Sequence, residues 1–330
     1  MPTSSVKPLA LKPGARLAVV SPAGPTLPVE DLLRGKSLLE SLGFDVCLMP
    51  HSGDSQFYLA GDDRDRANDL LQALLDPDID GIICARGGYG CMRILDLLDY
   101  EALRAQARPK PIIGFSDVTA LLLALYQKLG WTSFYGPMLT SNLIHQEPDS
   151  LHDLLVMVSL ETNRYLDASE SNPIPINNRD PYHCLKAGQA EGQLVGGNLS
   201  LLSALCGTPY QPEVRGKLLF IEDWKESYYS LDRQFQQLRM TGILEQAAGI
   251  ILCDFSDIEP PTGYTQVEIE SSYPLSELLR ELTRGLNIPI GYGFSVGHGE
   301  QTGTLPVGIM ARWDSTLGAL SLLESPVTQA

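Results

Sequence analysis

Residues 111–130 read PIIGFSDVTALLLALYQKLG. Pro111 to Phe115 is a short apolar run suited to a strand buried on both faces. Val118 to Leu129 is a strongly apolar helix with Lys128 and Gly130 at its end, a combination that caps a C-terminus. A strand that passes at once into a helix leaves Ser116 on the corner between them, at the carboxyl end of a sheet. Open α/β sheets bind their ligands there.

The segments before this one repeat the pattern. Leu17–Ser21, Asp45–Met49 and Asp80–Ala85 are strand candidates. Val29–Leu42, Asp62–Leu75 and Met92–Leu98 have helical spacing of apolar residues. Strand–helix alternation predicts a parallel sheet with helices on both faces. From about residue 139 to 190 the pattern breaks, and 169–181 holds three prolines and four asparagines or aspartates. Order returns with the strands Lys217–Glu222 and Gly249–Cys253, the helices Leu199–Leu205, Leu231–Leu238 and Leu275–Thr283, and a Gly-rich stretch, Ile290–Gly303. The expected division is an N-terminal α/β domain over 1–150, a linker or loop over 151–190, and a mixed α/β C-terminal domain over 191–330.

Composition narrows the function. The net charge of −16 over 330 residues, without a Lys/Arg run, argues against nucleic acid and anionic membranes as partners. The apolar run Leu121–Tyr126 is far too short to span a bilayer. Residues 1–13 lack the cationic start and apolar stretch of a secretory signal, so a cytoplasmic location is expected. The six cysteines are scattered, no CxxC pair occurs, and they read as core residues of a reducing compartment. No HExxH and no paired histidines at ligand spacing occur, so a zinc hydrolase is a poor reading.

Four places carry chemistry. Gly114-Phe-Ser-Asp-Val118 resembles a nucleophile elbow, with Val118 where a small residue is expected, or else Ser116 caps the helix. Arg86-Gly-Gly-Tyr-Gly90 ends a strand and can cradle a phosphate, form an oxyanion hole in which the Gly88 and Asp117 N–H groups join, or simply turn the chain. Arg86 itself can receive a carboxylate or make a surface ion pair. Glu222 ends an apolar strand, and His298, between Gly297 and Gly299, has room around its ring.

These motifs occur in order with Thr119-Ala120, Gly136-Pro-Met138, Gly196-Gly-Asn198, Asp223, Asp232-Arg233 and Leu305-Pro306. Together they resemble the LD-carboxypeptidase family, whose main members are muramoyltetrapeptide carboxypeptidases, from about Leu17 to Ala311. The resemblance implies a flavodoxin-like (class I amidotransferase-like) N-terminal domain and a C-terminal domain that supplies the other catalytic residues. It implies a serine peptidase for an L,D-peptide bond that uses no metal or cofactor: Ser116 as nucleophile, Glu222 as orienting carboxylate, His298 as base, and Gly88 and Asp117 as the oxyanion hole. It further implies a homodimer, and release of the terminal D-Ala from the murein tetrapeptide L-Ala-γ-D-Glu-meso-diaminopimelate-D-Ala in cell-wall recycling. Arg86 and Arg233 are the cations nearest the motifs for the substrate carboxylate. Other readings are a microcin C self-immunity carboxypeptidase acting on aminoacyl-nucleotide peptides, a non-enzymatic nucleotide- or peptide-binding protein, and an amidotransferase-like protein. The first needs an aromatic loop, for which 161–190 offers Tyr165, Tyr182 and His183. The last would carry a cysteine at the elbow.

Overall fold

The computed structural model describes residues 5–145, 148–160, 182–259 and 274–329. Its strands are β1 Arg16–Val20, β2 Asp45–Leu48, β3 Gly81–Cys84, β4 Ile112–Gly114, β5 Ser133–Tyr135, β6 His183–Lys186, β7 Gln189–Asn198, β8 Leu218–Trp224, β9 Gly249–Ser256, β10 Ile290–Tyr292, β11 Leu305–Val307, β12 Met310–Asp314 and β13 Ala319–Leu322. The alternating apolar runs of the first half become β1 to β4, and β5, which the sequence reading did not name, extends them; all five are parallel, in the order β2-β1-β3-β4-β5. That is the strand order of flavodoxin-like sheets. The core strands β3 and β4 are buried along their whole length, as a sheet covered on both faces requires.

The second sheet has the order β13-β12-β7-β8-β9-β10-β6. Its middle, β7 to β10, is parallel, and β6, β12 and β13 run antiparallel at its edges. The fold is therefore α/β with a parallel first sheet and a mixed second one.

The helix Thr119–Leu129 explains why it is apolar nearly all round. Thr119 to Tyr126 are all buried, because the helix lies against β4 and β5 on one side and against β7 and the helix Leu199–Leu205 on the other. Gly130 closes it at φ +71°. Polar ties cross the same seam: Lys217 Nζ donates to the Tyr126 hydroxyl (2.9 Å), which donates to Gln193 Oε1 (2.7 Å).

Two features differ from the sequence reading. The stretch 151–190 is not all linker: a helix covers Pro148–Val158, with Leu154, Met157 and Val158 buried, and β6 begins at His183. The apolar repeat LLVMV outweighed the polar flanks on which the linker reading rested. The proline-rich 169–181 and Tyr165 lie outside the described residues. In addition, β11 leaves the C-terminal half and pairs antiparallel with β5, so the first sheet is closed at one edge by residues far down the chain.

Candidate active site

Three loops at the carboxyl ends of β3, β4 and β5 form one wall of a cavity of about 490 Å³, and residues from the second sheet form the other. Ser116 stands in the cavity at φ +60°, a left-handed conformation that non-glycine residues rarely hold. The sequence shows how this turn is accommodated. A Cβ on Gly114 would sit 2.7 Å from Val118 Cγ1, so the glycine two before the serine makes room for the valine two after it.

The second sheet brings the partners. His298 Nε2 lies 3.1 Å from Ser116 Oγ, and its Nδ1 lies 2.7 Å from Glu222 Oε2. A carboxylate can only accept, so Nδ1 carries the proton and the Nε2 lone pair faces the serine hydroxyl. Glu222 is completely buried at the end of β8. Its other oxygen accepts from the Tyr135 hydroxyl at 2.7 Å and from Asn198 Nδ2 at 3.1 Å. A buried charge needs this many donors to hold it. Gly297 has φ +127°, and a Cβ there would stand 2.6 Å from Glu222 Oε2, so only glycine lets the histidine loop come so close to the carboxylate.

The imidazole packs against two aromatic rings. Phe115 lies 4.8 Å from it, and Trp224 stacks on it at 5.1 Å with an interplanar angle of 5°. Lys225 Nζ sits 4.1 Å from the centre of the Trp224 ring. Burial of His298 alone would lower its pKa, but the charge and hydrogen bond of Glu222, with Asp223 and Asp254 nearby, outweigh it and the net shift is upward. Asp223 is pushed up to about 7 by its burial and by the neighbouring Glu222 charge.

The other sequence candidates fall as follows. Gly88 and Asp117 both line the cavity. The Asp117 side chain turns inward, where Oδ2 accepts from the Cys91 N–H at 2.8 Å and ties the elbow to the glycine loop, so what Asp117 offers the cavity is main chain. Arg86 lines the cavity with one guanidinium nitrogen donating to the Pro25 carbonyl at 3.1 Å. Arg233 is not brought to the site. It lies exposed with its guanidinium over the Tyr229 ring, because Leu231, Phe235 and Leu238 turn the opposite face of the helix Tyr228–Met240 into the core. Tyr182 and His183 pack against Trp313 and Tyr292 and do not line the cavity.

Sequence reasoning gave no role to Tyr135, Asn142, Asn198 or Trp224. An asparagine just before the apolar run 199–205 was a readable cap signal: Asn198 Oδ1 accepts from the Leu201 N–H and caps that helix. Its amide then bridges Glu222 and Asp223. Tyr135 had no such signal.

With this geometry in place, comparison with known proteins gives a consistent result. Residues 17–136 match the family model described as the LD-carboxypeptidase N-terminal domain, and residues 191–313 match its C-terminal domain. The chain belongs to the LD-carboxypeptidase family. A Pseudomonas aeruginosa relative named murein tetrapeptide carboxypeptidase is 32% identical over 296 residues, covering 89% of this chain and 91% of its own. The solved muramoyltetrapeptide carboxypeptidase from Oxalobacter formigenes is 29% identical with a TM-score of 0.76, covering 93% of this chain and 98% of that one. The structure of MccF in complex with glutamyl sulfamoyl guanosine is 26% identical with a TM-score of 0.84, covering 98% and 100%. Members of this family are peptidases, and this chain is accordingly a hydrolase of that class.

Proposed function

We propose that the chain is a serine carboxypeptidase that cleaves an L,D-peptide bond and releases terminal D-Ala from the murein tetrapeptide, with Ser116, His298 and Glu222 as its catalytic triad. The observation that carries this is the continuous line Ser116 Oγ–His298–Glu222, with both contacts at hydrogen-bond length. His298 Nε2 takes the hydroxyl proton as Ser116 Oγ attacks the scissile carbonyl. The imidazolium so formed then gives that proton to the leaving amine. A water repeats the sequence on the acyl-enzyme. Glu222 holds the tautomer and stabilises the imidazolium.

The oxyanion falls to the N–H groups of Gly88 and Asp117, each contributing about 3–4 kcal/mol in the transition state. The Ser116 N–H is occupied, since it donates to the Tyr135 hydroxyl at 3.2 Å. Arg86 is the cation on the cavity wall for the substrate carboxylate. The proposal includes a homodimer in the cytoplasm. The location is supported by all six cysteines being free thiols, three of them buried, as suits a reducing compartment.

A second reading, cleavage of aminoacyl-nucleotide peptides as in microcin self-immunity, is favoured by the high overlap with MccF. Against it, the ring of Trp224, the tryptophan at the cavity, is already engaged by His298 and by Lys225. Mass spectrometry of the protein with murein tetrapeptide tests both. Loss of one alanine with wild type, and none with Ser116→Ala, is the expected result. Cleavage of an aminoacyl-sulfamoyl nucleotide instead would transfer the assignment to the second reading.

A further inference from the structure

The wall of the cavity beside Ser116 contains a donor that the triad does not use. Residues Leu139–Leu143 form a single wide turn with i to i+5 hydrogen bonds, Leu143 N–H to Met138 O (3.0 Å) and Ile144 N–H to Leu139 O (3.3 Å). Such turns are uncommon and recur at functional sites. This one is bound to the glycine loop, because the Thr140 N–H (2.8 Å) and hydroxyl (3.0 Å) both donate to the Ala85 carbonyl. Asn142, 7% exposed, is thereby held in the cavity lining, to which Arg86 also belongs.

Its orientation is determined by its neighbours. Oδ1 accepts from the Met138 N–H at 3.2 Å and from the Ser141 hydroxyl at 3.0 Å. The Met138 N–H can only donate, so the oxygen faces it and the NH2 group faces away, where it makes no hydrogen bond to a described residue. An amide in the cavity wall whose NH2 is not taken up by a described residue is placed to donate to an acceptor ligand. Ser116 lines the same cavity.

We propose that Asn142 Nδ2, together with Arg86, binds the free terminal carboxylate of the peptide and so makes the enzyme an exopeptidase. This rests on the peptidase reading above. An amide terminus brings its own NH2 towards the same donors and is rejected, whereas a carboxylate accepts from both.

The test compares steady-state cleavage of a tetrapeptide ending in D-Ala with that of the same peptide ending in D-alaninamide. Wild type is expected to prefer the acid strongly. Asn142→Asp keeps the oxygen for Met138 and Ser141 while replacing the NH2 by a repelling carboxylate, so it folds as wild type does. It should raise KM for the acid about 10- to 100-fold with kcat changed far less, and so collapse the preference, as loss of a hydrogen bond to a charged group does. Asn142→Leu, which removes the donors without adding charge, should act in the same direction by a smaller factor. An active Asn142→Asp enzyme with the wild-type preference intact would overturn the role of Asn142 and leave the peptidase reading standing. A wild type that cleaves neither peptide would overturn the peptidase reading, and this inference with it.

Discussion

The Tyr135 hydroxyl donates to Glu222 Oε1 at 2.7 Å, and at the same time it accepts the Ser116 N–H at 3.2 Å. One completely buried phenol thus ties the Glu222 carboxylate, from β8, to the main chain of Ser116, from the corner after β4. It fixes the separation between the two ends of the proposed triad across the seam between the sheets. Removing the hydroxyl in Tyr135→Phe leaves the ring packing and deletes one hydrogen bond to a charged group, worth about 1.5–3 kcal/mol. The expected result is a fall in kcat/KM of about 10- to 100-fold with a cooperative thermal transition retained. Kinetics beside calorimetry check it.

The base sets the pH dependence. In the proposed mechanism His298 must be neutral to accept the serine proton, and its pKa is raised, since Glu222, Asp223 and Asp254 together outweigh its burial. The acidic limb of kcat/KM should therefore lie above the ordinary histidine value of about 6.5, with activity falling as pH drops through it. For stability the sign is reversed. Protonation of His298 is favoured by folding, so its contribution is complete below the unfolded pKa and fades as pH rises through the folded one. In Glu222→Gln the limb should move to lower pH, and kcat should fall about 1,000- to 10,000-fold as the wrong tautomer becomes available. A pH–rate profile of both proteins decides it.

Trp224 lies flat on the imidazole that the proposed mechanism turns into a cation. An aromatic face on a desolvated cation is worth about 0.5–2 kcal/mol. Trp224→Leu should lower the pH of the acidic limb and slow turnover by about 2- to 30-fold, through the imidazolium rather than through binding. A KM that rises as much as kcat falls would assign Trp224 to substrate contact instead.

The elbow allows a double-mutant test. Gly114→Ala drives a methyl into Val118, and overpacking of this kind costs about 1–3 kcal/mol. Gly114→Ala/Val118→Ala should recover most of the lost stability and activity. Chemical denaturation of the two singles and the double measures the coupling.

Much of this was legible in the chain. The run 111–130 placed Ser116 because a buried strand and a buried helix, each apolar, leave few places for a polar corner. His298 was legible through its flanking glycines, and the structure shows that Gly297 is there to let the carboxylate in. Tyr135 and Asn142 were not, because their roles depend on partners 87 residues away or on a turn of unusual width. Neither long range nor backbone pitch leaves a local pattern. Arg233 is a different case. The positions of Leu231, Phe235 and Leu238 already assign it to the outer face of its helix, and proximity to a motif in sequence was mistaken for proximity in space.

His298 sits on a stretch anchored at one end by β10, in the second sheet, and at the other by β11, which crosses back to the edge of the first. The order of synthesis follows from that. A ribosome has completed the serine corner and the glycine loop after about residue 120, and the acid a hundred residues later, yet none of them has a base. Only when the chain has emerged past Val307 can β11 dock on β5 and draw the histidine to the serine. On the proposed triad, a nascent or prematurely terminated chain would be a silent hydrolase, and the last strand to join the first sheet would also be the one that switches the enzyme on.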